Sequence, residues 1–143
     1  VASALYSKDI LRLATSIPHL GRLAEPQGTS ERRSPVCGSR ITVDVILDAE
    51  GHILEIGQMV SACALGQASA AIMGQYAVGR SSQELNEARD ALSAWLAGEG
   101  ALPEGWPGLD VFVPALGHAA RHGAIRLPFE AVAEAATSAL AHA

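Results

Sequence analysis

Two cysteines are the residues of this chain best suited to sulfur or soft-metal chemistry, and the sequence holds no others. Cys37 lies in Pro35-Val36-Cys37-Gly38-Ser39, a turn just ahead of an alternating apolar pattern. Cys63 lies in Ser61-Ala62-Cys63-Ala64-Leu65-Gly66, where a second such pattern gives way to helical spacing. The dipole and free N–H groups of a helix start favour a thiolate, which makes Cys63 a candidate metal ligand or sulfur nucleophile. Cysteine also serves as a small buried hydrophobe, so Cys63 taken alone leaves both readings open. Arg32, Arg33 and Arg40 are close to Cys37 in sequence and Gly38 is beside it, the setting of either an exposed thiol in positive surroundings or an incidental loop cysteine. One hairpin joins the two cysteines, so their sulfurs can converge, but two ligands do not complete a metal site.

Five histidines are available to extend such a site, since soft metals accept imidazole beside thiolate. His118 and His122, in Gly117-His118-Ala119-Ala120-Arg121-His122-Gly123, are four apart and share a face if the stretch is helical; surface histidines are the commoner explanation of that spacing. His19, His52 and His142 read as loop or tail residues and receive no role. Nothing resembles a Ser-His-Asp triad, a phosphate-binding glycine loop or a nucleotide fingerprint, and the glycines are dispersed.

The elements that must position these residues follow from periodicity. Tyr6 to Ala14 reads as a short helix, a lid at the N-terminus, with Ser7 as N-cap and Tyr6, Ile10, Leu13 and Ala14 on one face. Residues 21 to 39 are rich in Gly, Pro, Ser and Arg, which argues for a loop or at most a weak edge strand. Ile41, Val43, Val45 and Leu47 alternate with polar residues as in a half-buried strand; Ala49-Glu50-Gly51 turns the chain and Ile53 to Val60 returns antiparallel. Residues 64 to 78 have helical spacing, with Gly79 placed to end the helix and Cys63 at or just before its first turn. Ser81 and Glu84 form a capping box for a further helix whose buried stripe is Leu85, Ala88, Leu92 and Trp95, ending before Gly98. A Gly/Pro-rich connection over 99–108 leads to a short helical turn at 109–116. Pro128, suited to a first helical position, opens a terminal helix with Phe129, Val132, Ala136 and Leu140 on one face. Together these predict an α+β fold, a small antiparallel sheet with helices after it and no internal repeat.

Composition bounds the function class. At 143 residues and 49% hydrophobic the chain suits one compact domain. A net charge of −5 with nine Arg and one Lys, scattered without a basic block, excludes the usual nucleic-acid footprint. No apolar run reaches the roughly 18 residues of a membrane span, and Lys8, Asp9 and Arg12 stand where a signal peptide wants an apolar centre. The expectation is a cytoplasmic protein without nucleic-acid or membrane partners, whose cysteines are thiols or metal ligands rather than a structural disulfide.

The run from Cys37-Gly38 through Ile41-Thr42-Val43, and Cys63-Ala64-Leu65-Gly66-Gln67-Ala68-Ser69-Ala70-Ala71-Ile72-Met73 after the hairpin, resembles the IscU/SufU/NifU N-terminal family of iron-sulfur cluster assembly scaffolds. Pro18-His19-Leu20-Gly21-Arg22-Leu23 is similar to the family's early Pro/Gly motif and Val78-Gly79-Arg80-Ser81 to its segment after the second cysteine. Arg121 to Phe129 resembles its closing Arg-x-x-Cys-x-x-Leu-Pro-aromatic motif, so the likeness spans most of the chain, and Trp106-Pro107-Gly108-Leu109 leans toward the SufU-like branch. The resemblance implies a three-stranded antiparallel sheet packed against helices. It further implies three cysteines and an aspartate at one end of that sheet, holding zinc or a transient iron-sulfur cluster, with a cysteine desulfurase as sulfur donor, apo-proteins as recipients and no enzymatic turnover. Cys37 and Cys63 match the first two cysteines. The aspartate position is Ser39 and the third cysteine position is Ala124, so a family-type site with four ligands from one chain is broken.

Three readings remain open. Cys37 and Cys63 hold a labile cluster, iron or zinc, with His122 or water substituting or with a homodimer supplying two thiolates from each chain, and Arg121 as a nearby positive charge. Alternatively the chain keeps the docking surface and acts as a non-binding partner or regulator of the desulfurase. In the third reading the two thiols form a reversible redox disulfide without metal.

Overall fold

In the computed structural model of the chain, residues 5–36 and 38–142 are described. Cys37, the first of the two cysteines, lies outside them. The sheet forms where alternation predicts it. Strand β1 (Gly28–Arg33), β2 (Arg40–Leu47) and β3 (Ile53–Ser61) make an antiparallel sheet in the order β1-β2-β3. The alternation of β2 sends Ile41, Val43, Val45 and Leu47 into the core, where each fully buried side chain contributes about 1.5–3 kcal/mol. On β3 the matching inward row is Ile53, Ile56, Gln58 and Val60, opposite Leu47, Val45, Val43 and Ile41. Ile53, Ile56 and Gln58 in that row are buried.

Helix α1 (Lys8–Ala14) starts at the Ser7 cap, whose hydroxyl accepts the Ile10 N–H, and lies on α2 (Ala64–Tyr76) with Ile10 fully buried. Helix α2 ends at Tyr76 with Ala77 as its C-cap, and the chain turns away at Gly79, whose φ of +91° is costly for any side chain. Helix α3 (Ser82–Leu96) has the complete capping box, with the Ser81 hydroxyl accepting the Glu84 N–H and the Glu84 carboxylate accepting the Ser81 N–H. Its stripe of Leu85, Ala88, Leu92 and Trp95 is buried. A 3-10 helix (Leu109–Ala115) then leads into α4 (Ala119–Ala141), which runs under β1 and β2 between α2 and α3.

The segment after Gly21, expected as a loop or at most a weak edge strand, holds a six-residue edge strand, β1, whose backbone is clamped between β2 and α4. A Cβ at Gly28 would stand 2.1 Å from the Ala135 carbonyl oxygen, so only glycine permits that approach. Pro128 does not open the last helix: α4 begins nine positions earlier, at Ala119, and carries Pro128 inside it. Proline lacks the N–H that would serve the Ala124 carbonyl four residues back. The neighbouring Ile125 carbonyl accepts the Ser69 hydroxyl of α2 at 2.6 Å, which ties this stretch of α4 to α2. The buried face of α4 includes Phe129, Val132 and Ala136 as predicted, but Leu140 is 48% exposed near the end of the helix.

Candidate functional site

The antiparallel register places Arg33, Arg40 and Ser61 in one row across the end of the sheet. From that row the chain leaves in two directions. Between β1 and β2 it makes a turn in which the Ser34 N–H donates to the Ser39 carbonyl at 2.8 Å and the Gly38 N–H to the Ser34 carbonyl at 2.9 Å. After β3 it passes through Ala62 to Cys63, the N-cap of α2. The residues flanking Cys37 therefore stand at the same end of the sheet as Cys63.

Cys63 is a free, half-buried thiol. Its carbonyl accepts the Gln67 N–H at 2.9 Å, the first bond of the helix, and its side chain makes no capping bond. No acidic residue occupies the first turn of α2, so no carboxylate competes there for the positive end of the helix dipole. The sulfur is left without a capping bond at the start of α2.

The third wall comes from α4. A Cβ at Gly66, three residues into α2 from the cap, would stand 2.8 Å from the Ala62 Cβ and 3.6 Å from the Ala124 Cβ. One at Gly123 would stand 3.0 Å from the Ser34 hydroxyl. Ala124 and Ser39 thus sit beside the α2 start and within the β1–β2 turn. Ala124 is fully buried and has no donor atom, and Ser39 is buried.

The two histidines part company. His118 precedes α4 with φ −119° and ψ 72° and is exposed, so it does not share a helical face with His122. His122 is only 7% exposed, and its Nε2 lies 2.8 Å from the Ala115 carbonyl oxygen. A carbonyl can only accept, so Nε2 carries a proton, and Nδ1 has no hydrogen-bond partner among the described residues. A backbone tether of this kind is how metal-binding imidazoles are commonly oriented. The signal for it, the carbonyl of a 3-10 turn seven residues away, is not visible in sequence spacing.

The arginines near Cys37 are also sorted by the fold. Arg32 is engaged by Glu134 at 3.1 Å and Glu130 at 3.8 Å, and Arg33 by Glu31 at 3.3 Å. Arg40 and Arg121 make no ion pair among the described residues. No group of three His, Cys, Asp or Glu side chains gathers to hold a metal ion among the described residues. No helix among them is long and apolar enough to cross a membrane.

The family of the NifU-like N terminal domain matches residues 5–99. The crystal structure of a NifU-like protein (N-terminal) from Brucella abortus is 35% identical, with a TM-score of 0.92 over 99% of each chain, which carries the likeness through α4. A protein assigned as an iron-sulfur cluster assembly scaffold for the SUF system, from thermophilic Fervidobacterium islandicum AW-1, has a TM-score of 0.83 at 20% identity, covering 95% of this chain and 99% of its own. Comparison with curated proteins returns no match.

Proposed function

We propose that this chain, which belongs to the NifU-like N-terminal domain family, serves as a scaffold for iron-sulfur cluster assembly, with Cys37 and Cys63 as its sulfur-accepting and iron-binding thiolates. The observation that carries the reading is the meeting of the β1–β2 turn, the α2 cap and residues 123 and 124 of α4 at one end of the sheet. The cluster is cargo, and the chain performs no turnover of its own. Sulfur arrives from the persulfide of a cysteine desulfurase. The Cys63 thiolate attacks the outer sulfur, the S–S bond of the donor breaks, and the donor cysteine leaves as a thiolate. Cys63 is left as a persulfide beside the turn that holds Cys37. A two-electron reductant such as an external dithiol converts that persulfide to sulfide and the free Cys63 thiolate; iron and sulfide then meet two thiolates, with Nδ1 of His122 as the third donor from this chain. Arg121 adds positive charge beside a site that becomes anionic. Apo-proteins receive the finished cluster.

Anaerobic reconstitution with iron and sulfide tests this. The parent protein is expected to develop the visible absorption of an iron-sulfur chromophore, Cys63→Ser to lose it, and the Ser39→Asp/Ala124→Cys double variant to hold it longer. A parent that stays colourless while the double variant colours would overturn the assembly role. That result would favour the second reading, a partner of the desulfurase that keeps the fold without the cargo. The specific observation behind this second reading is the full burial of donorless Ala124.

A further inference from the structure

We infer that the open cleft on the outer face of the sheet binds a low-molecular-weight thiol that carries carboxylates, such as a small cysteinyl peptide. The cleft has a volume of about 320 Å³ and is lined by Arg22, Glu31, Arg40, Thr42, Met59, Val60 and Ser61. That volume is in the range of small-ligand sites, roughly 300–1,000 Å³. The register explains its chemistry. Arg40 and Ser61 form the outward end row, and Glu31, Thr42 and Met59 form the next row inward along the same face.

Arg40 is exposed and makes no ion pair among the described residues, so its guanidinium is available to a carboxylate. Arg22 commits Nε and Nη2 to Asp44 and leaves Nη1 uncommitted. Glu31 offers a carboxylate to a ligand ammonium, and it is paired with the exposed Arg33 at 3.3 Å. Met59, 51% exposed, supplies an apolar floor beside the Thr42 and Ser61 hydroxyls. Cations, one carboxylate and a short apolar surface together complement a small zwitterionic peptide better than a simple inorganic anion.

Position gives the thiol its purpose. The Arg40–Ser61 row runs directly into the turn that carries Cys37 and the segment that carries Cys63. A chain with two cysteines and a buried alanine in a ligand position is short of thiolate. A ligand seated in the cleft can supply one to the cargo iron, and this role rests on the scaffold reading above.

Reduced glutathione titrated into the metal-free protein is the probe, followed by calorimetry and by amide shifts of Arg40, Thr42 and Ser61. S-methylglutathione is expected to bind equally and 2-mercaptoethanol not to bind. Arg40→Glu is expected to weaken binding by about tenfold or more. Binding that ignores Arg40, or no binding, overturns the inference whatever the cluster does. In reconstitution, glutathione but not its S-methyl form is expected to raise the chromophore yield, and Ala124→Cys to remove the requirement. A parent yield indifferent to glutathione overturns the ligand-supplying role while the scaffold reading stands. Arg40-dependent binding with no chromophore under any condition upholds the cleft as a thiol site and removes the scaffold reading.

Discussion

At the scale of single residues, Asp44 shows how a buried charge is used to hold the segment that borders the site. Its carboxylate is fully buried on the outer face of the sheet, where it accepts from Arg22 Nε at 2.6 Å, Thr29 Oγ1 at 2.6 Å and the Leu23 N–H at 3.1 Å. Burial alone would push this carboxyl up, but the bonds from Arg22, Thr29 and Leu23 outweigh it and hold the group below the usual carboxylate range. A folded value lowered in this way means that the stabilisation is complete above the unfolded value, about pH 4, and is lost as the pH falls through the folded one. Asp44→Ala is expected to cost about 2–3 kcal/mol near neutral pH. In urea melts the gap between parent and variant should narrow below about pH 4; a gap constant down to acid pH would show that the carboxylate charge is not what holds the segment. Legibility from sequence at this scale was uneven. The helix-cap position of Cys63 could be read because it depends on neighbours in the chain. The Asp44 clamp and the His122 tether join residues from separate elements, and no local spacing records them.

Elements divide along the same line, into those fixed by their own sequence and those fixed by what they touch. The β2–β3 hairpin and the starts of α1 and α3 were legible because alternation, a turn and a capping hydroxyl act within a few residues. Ser81→Ala is expected to cost about 1 kcal/mol, read as a lower urea midpoint with an unchanged slope; no change would mean that packing of the α3 stripe alone sets the helix start. The extent of β1 and the interior Pro128 were not legible, because each depends on a partner element. At Gly28 the backbone of α4 presses against the strand, with the Ala139 N at 2.7 Å from where a Cβ would lie. Gly28→Ala is expected to cost about 3 kcal/mol or more, since backbone atoms cannot step aside as a flexible side chain can. Hydrogen exchange should show the loss as faster exchange in β1 and along α4 from 131 to 141. A variant as stable as the parent, with unchanged exchange there, would contradict the close approach.

For the whole molecule the consequence is that one end of the fold is a junction of three elements, and a metal ion bound there would tie them together. The β1–β2 turn, the α2 cap and the first turns of α4 are distant in sequence, and packing rather than chain connectivity brings them together. In the unfolded chain Cys37, Cys63 and His122 are separated by long loops, so an ion that needs all three binds the native state far better than the unfolded one. Zinc serves as a redox-silent probe of that linkage. At about a hundredfold excess over its dissociation constant it should add about 2.7 kcal/mol, a rise in melting temperature of about 5–10 °C for a chain of this size. Chelator should reverse the rise, Cys63→Ser should abolish it, and His122→Phe should reduce it if Nδ1 takes part. The shift should also shrink with acidification through the range in which imidazole and thiolates take up protons, since metal and proton compete for the same lone pairs. An equal shift in Cys63→Ser would place the zinc elsewhere on the surface, and no shift in the parent would mean that the convergence of these elements does not create a metal site.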